Sequence, residues 1–227
     1  MLRLAITATA LITGSSAVYF YILHLRLSAR VQHETHFETL SASSSRPTAI
    51  ESVPDRVFTD QSYAFFDRAS KTVPRDSLPL AESLESLFTK YVRRNMTAFS
   101  HLPAALMLRA VSKTSEQKKS FRTSHIASLS FQEGDLICGA YRVKVRRENK
   151  VEFEMKMQMM DYVDGRLAIS CREEDGEVVF CTEVMMWKPA DEKRAMPMEN
   201  PAARWMHELA SWWLVDSGVQ YLMDLES

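Results

Sequence analysis

The stretch GRLAISCREEDGEVVFCTEVMMW, residues 165–187, decides the fold. Asp175-Gly176 is a two-residue turn signal, because both central positions of a type I′ hairpin need a left-handed backbone that Asp and Gly accept readily. The runs on either side, GRLAISCRE and EVVFCTEVMMW, are then two antiparallel strands. The second is apolar on both faces, so it is expected to be covered on both sides and to lie inside a sheet.

Working toward the N-terminus, VEFEMKMQM (151–159) alternates completely: Val151, Phe153, Met155, Met157 and Met159 face one way, and Glu152, Glu154, Lys156 and Gln158 the other. This is the pattern of a half-buried antiparallel strand. Ile137, Gly139, Tyr141, Val143 and Val145 share a face of another strand, and Thr123, His125, Ala127, Leu129 and Phe131 share a face of one more, across the Glu133-Gly134-Asp135 turn. The expectation is therefore a five-stranded antiparallel meander. Ahead of it, Leu84, Leu87, Phe88, Tyr91, Val92 and Phe99 recur at helical spacing, predicting an amphipathic helix over 80–99, and Pro103 suits the first turn of a second helix. FTDQSYAFFDRA (58–69) reads as a short helix or turn with aromatic anchors. Behind the strands, RWMHELASWWLVDSGVQYL (204–222) is the closing helix, with Trp205, Leu209, Trp212, Val219 and Met223 on its apolar stripe and Arg204, His207, Glu208 and Ser211 on the solvated side. The predicted class is α+β, a five-stranded sheet flanked by helices and closed by a long C-terminal one.

Leu4 to Leu23 is uncharged over about 20 residues, the length a helix needs to cross a bilayer. It predicts a transmembrane signal anchor over 1–25, followed by a polar tether over 26–56 and a single globular domain over 57–227. Arg26 and Arg30 outweigh Arg3, so the positive-inside rule places the domain in the cytosol, on the endoplasmic reticulum membrane. Asn95-Met96-Thr97 is a glycosylation sequon that would matter only for a lumenal domain.

With 28 Lys and Arg against 29 Asp and Glu, the chain has no basic field for a nucleic acid backbone. Cys138, Cys171 and Cys181 are odd in number and widely spaced, as expected of strand residues under reducing conditions. Six glycines form no phosphate loop, and GxGxxG, GxSxG, HExxH and CxxC are missing. Catalysis without cofactor or metal, by plain acid-base groups in an apolar pocket, is the expectation, and the pocket would hold a lipophilic small molecule; 13 Met, 4 Trp and 11 Phe are available to line it.

Four residues are candidates for that chemistry. His125 falls on the apolar face of its expected strand, as a general acid-base group or as a core histidine bonded to backbone. Glu183 interrupts EVVFCTEVMMW in phase with Val179, Cys181, Met185 and Trp187, either forced toward apolar surroundings or paired with an arginine across strands. Asp135 can orient a ligand or bond its own turn. Asp216 lies on the apolar stripe of the closing helix: it meets the core if the helix is unbroken, and water if the helix stops at Ser217-Gly218.

The run SFQEGDLICGAYRVKVRRENKVEFEM, followed by DGRL and DGEVVF, resembles the strand cadence of hot-dog-fold domains, and the closing helix on a curved sheet resembles helix-grip, or START-like, ligand-binding and cyclase domains. An apolar N-terminal segment ahead of one such domain is similar to the small membrane-anchored accessory proteins of fungal secondary-metabolite pathways. That resemblance implies cyclisation or isomerisation of a lipophilic intermediate, beside other pathway enzymes; the alternatives are a module that binds or transfers a hydrophobic ligand, and a membrane-tethered interaction protein.

Overall fold

The structure is a computed structural model that describes residues 18–156 and 160–225. A helix over residues 18–28 (α1) leads into strand β1 (Gln32–Thr39), a one-turn helix α2 (Arg56–Thr59) and the long strand β2 (Ser62–Pro74). Four helices follow: α3 (Leu84–Phe99), α4 (Pro103–Val111), α5 (Ser115–Lys119) and α6 (Thr123–Ser128). Then come β3 (Leu136–Ile137), β4 (Tyr141–Arg147), β5 (Lys150–Lys156), β6 (Asp164–Glu174), β7 (Glu177–Pro189) and the closing helix α7 (Pro201–Met223).

Among the described residues the strands form one antiparallel sheet in the order β1-β2-β7-β6-β5-β4-β3. The Asp175-Gly176 turn joins β6 to β7 with φ of 52° and 78°, as a type I′ hairpin requires. β7 is interior, with β6 on one side and β2 on the other, in keeping with its two apolar faces.

The sheet has seven strands where five were expected. β1 and β2 are the additions, and the physical reason is that neither shows a simple alternation. In β1, QHETHFET, Phe37 is the one large apolar residue, so these residues read as tether although they pair along their whole length with β2. β2 is covered on both faces, and its FF pair suggests helix or turn. Conversely, the expected strand over 123–131 is α6: Ile126 and Leu129 are buried three residues apart, a helical interval. The next expected strand is interrupted by left-handed residues at Cys138 (φ 48°) and Gly139 (φ 67°), which leaves β3 only two residues long. Met157, Gln158 and Met159 lie outside the described residues.

The membrane assignment is corrected too. No helix of the described residues is long and apolar enough to cross a bilayer. Of the span expected over 4–23, positions 4–17 lie outside the described residues. The rest belongs to α1, whose Leu23 and Leu27 pack with Val31, Ala69, Leu209, Trp212 and Val215 against the sheet and α7. This overturns the single-pass anchor and the membrane location derived from it.

The main core fills the helix side of the sheet. Val151 and Phe153 of β5, Ile169 of β6 and Phe180 of β7 meet Leu87, Phe88 and Tyr91 of α3 and Val219 and Leu222 of α7. The spacing of the buried residues of α3 follows the expected amphipathic pattern, but the helix starts at Leu84 rather than at 80, and Ser83 caps it there by accepting from the Ser86 N–H. Residues 40–58 cross the opposite face, where Ile50, Val53, Val57 and Phe58 cover Ala64, Ala168, Met185 and Trp187.

Candidate functional site

The structure does not bring the four sequence candidates together: no hydrogen bond or ion pair joins any two of them among the described residues. His125 is half-buried on α6, and Ser128 donates to its carbonyl. Asp135 accepts from the Gln132 N–H at 2.8 Å, closing its own turn. Glu183, buried on the outer face of β7, accepts from the backbone N–H of Ala49 at 2.6 Å and of Thr48 at 3.3 Å. Glu152 on β5 does the same for Glu51 at 2.8 Å and Ser52 at 3.0 Å, so two carboxylates pin the 40–58 segment across the sheet. Both charges are satisfied by backbone donors that the segment would otherwise bury unpaired. Asn95 is buried on α3 against α7, where it is a packing residue.

Asp216 is resolved by the course of α7, which runs unbroken through Ser217-Gly218 to Met223. Gly218 is a contact glycine there: an added Cβ would fall 2.7 Å from the Tyr91 ring and against the Asn95 amide. Asp216 therefore faces inward, but it is paired. Lys71 on β2 donates to its Oδ1 at 2.7 Å, and Arg30 approaches Oδ2 at 3.6 Å.

The same helix carries a second, unexpected constellation. Apolar residues are spread almost evenly around α7, and while Leu209, Trp212 and Val219 of the expected stripe are buried, the expected solvated side is wrong at His207 and Ser211. Trp205 and Met206 are exposed, and it is His207 and Ser211, one turn apart, that turn toward β1 and β2. His207 Nε2 lies 3.1 Å from Oδ2 of Asp67, whose Oδ1 accepts from the Thr35 hydroxyl at 2.9 Å. Asp67 is only 1% exposed, whereas the His207 side chain keeps 25% of its surface. With Nε2–H donating to the Asp67 carboxylate, the neutral ring presents Nδ1 as its basic nitrogen, and Nδ1 has no hydrogen-bond partner among the described residues.

Next to this pair, the Trp212 ring meets two tilted imidazoles, His33 at 4.1 Å between ring centroids and His24 at 5.1 Å. The Trp212 indole N–H, the Ser211 hydroxyl and His24 Nδ1 are buried with no hydrogen-bond partner among the described residues. Three orphaned polar atoms in one seam are unusual for a finished interior, where nearly all such groups are paired. Sequence reasoning missed Asp67 and His207. The available signal was strand phase, since Asp67 alternates with Phe65 and Ala69 once SYAFFDRASKTV is taken as a strand.

Two open grooves flank the fold. One, of about 770 Å³, lies between α3 and the β4–β5 turn, where Arg146 and Arg147 are offset by Glu85 and Glu148. The other, of about 530 Å³, lies between the α1–β1 turn and the Lys71 stretch of β2. Among the described residues, no group of three or more His, Cys, Asp or Glu side chains converges as a metal site would.

No family model matches the chain, and no curated protein does. Among solved structures it is similar to the crystal structure of CalU16 from Micromonospora echinospora, with a TM-score of 0.30 and 8% identity over 86% of this chain and 97% of that one. At that similarity CalU16 assigns neither fold family nor activity to this chain.

Proposed function

We propose that the chain is a cofactor-free proton-transfer enzyme, of the cyclase or isomerase type, that acts on a small and largely apolar molecule in the seam between α7, β1 and β2. The observation that carries this reading is the buried Asp67 carboxylate holding the Nε2 side of His207, whose side chain keeps a quarter of its surface exposed. His207 is the catalytic residue: Nδ1 removes a proton from the substrate and returns it at another atom, so the reaction balances with no redox step. Asp67 is the positioning residue, fixing the tautomer and stabilising the imidazolium formed in the first half of the exchange. The orphaned Trp212 N–H and Ser211 O–H are donors suited to a carbonyl or enolate oxygen on that substrate.

The test uses a nitrobenzisoxazole, whose ring opens on loss of one proton and so reports a general base without knowledge of the natural substrate. The wild type is expected to open it faster than free imidazole, and His207→Gln, which keeps a donor toward Asp67, to lose about a hundredfold. Asp67→Asn is expected to change the pH profile of the rate, which a purely structural role would leave unmoved. Equal rates in wild type and His207→Gln would remove the enzyme reading and leave the seam as a binding surface.

A further inference from the structure

We infer that the groove over Lys71 is a binding site for a compact oxyanion, a phosphate or carboxylate group on a small molecule. Its lining includes Arg30, Lys71 and His33 together with the hydroxyl residues Ser28, Ser70 and Thr72, and it contains no Asp or Glu. The other groove sets two glutamates beside its two arginines, so it presents no comparable excess of positive charge.

The cations are placed for use. Lys71 is largely buried, and its ammonium is fixed by the 2.7 Å bond to Asp216 on the α7 side. That bond occupies one of three donors, and among the described residues the ammonium has no other partner. Arg30 is mostly solvent-exposed and only 3.6 Å from the same carboxylate, so its guanidinium can swing to an incoming oxyanion at little cost. Two cations against the single Asp216 leave an excess of one positive charge, and His33 adds to it when protonated. His33 is also the link to the indole of Trp212, so occupancy of the groove has a built-in optical reporter.

Asp67 and Lys71 are four residues apart on β2, so proton transfer at His207 and anion binding at Lys71 are separable measurements. The experiment is titration of the full chain with pyrophosphate in one arm and citrate in the other, followed by tryptophan fluorescence and calorimetry. Saturable binding is expected in at least one arm, with a dissociation constant of about 1 mM or tighter, and the tighter arm tells phosphate from carboxylate. Lys71→Met is expected to weaken it about tenfold or more. Arg30→Gln, at an exposed site where folding is not at stake, is expected to weaken it in the same direction. No saturable binding in either arm, or binding that both variants leave unchanged, would overturn the assignment.

Discussion

Asp67 and His207 show how much of a site depends on which partner is buried. A carboxylate at 1% exposure persists because both its oxygens are bonded, to Thr35 and to His207. Removing it leaves two polar groups facing an empty space, each costing about 1–3 kcal/mol. The cysteines are the opposite case. Burial pushes the thiols of Cys138 and Cys171 up to about 12, so neither is a thiolate at neutral or mildly alkaline pH. We expect both to resist a thiol reagent in the native protein and to react promptly in denaturant; fast native-state labelling of either would contradict their buried placement. At this scale the sequence was only partly legible. For Asp216 helical phase left two readings, inward if the helix continued through Ser217-Gly218 and exposed if it stopped there, and its Lys71 partner is 145 residues away and carries no local signal. Glu183 stood out as the carboxylate interrupting an apolar strand, yet its ligands are backbone N–H groups of a segment that read as a tether.

An element is most legible where its pattern is enforced by one buried face. The spacing of α3 satisfies that condition; β5 alternates in chemistry although both its faces are covered, Lys150 and Glu152 being buried under the 40–58 segment, and the turn between β6 and β7 is legible from the left-handed backbone of Asp175-Gly176 instead. β1 and α7 do not satisfy it: β1 is an edge strand with no fully buried residue, and α7 is apolar nearly all round, so neither displays a single buried face. The close approach of α7 to α3 gives a direct prediction. Gly218→Ala places a methyl group against Tyr91 and Asn95, and should destabilise the protein by about 1–3 kcal/mol, measured by denaturant unfolding. An unchanged midpoint would mean that the two helices do not pack at this residue. A second prediction concerns the turn after β7. Arg194, through its side chain and then its backbone N–H, holds the Glu192 carboxyl at about 2, below the ordinary 4.5. A depressed acid contributes above its unfolded value and is lost as pH falls through its folded one. The order of residues 191–194 should therefore survive at pH 4.5 and disappear as the pH approaches 2, which NMR shifts of the Glu192 carboxyl can follow.

Over the whole molecule, a seven-stranded antiparallel sheet is covered on one face by α3, α6 and α7 and on the other by the pinned 40–58 segment. The sequence conveyed the α+β class and the closing helix, because both follow from period and order. It did not convey the outer cover, since residues 40–58 are mostly polar and are held by charges spread over β5, β6 and β7. The long apolar run near the N-terminus carried the expectation of a membrane anchor, yet no helix of the described residues is long and apolar enough to cross a bilayer; Val18 to Ile22 are exposed, and α1 packs through Leu23, Leu27 and the His24 ring against Trp212. That helix, β1, β2 and α7 converge on the seam where His207, Asp67 and the orphaned donors of Trp212 and Ser211 lie. The most direct test of the proposed role is nitrogen NMR of the His207 imidazole in mildly alkaline buffer. A single neutral tautomer, protonated on Nε2 with Nδ1 bare, is expected, and it should collapse to a mixture in Asp67→Asn; a proton resident on Nδ1, or a tautomer indifferent to Asp67, would contradict the role of the pair.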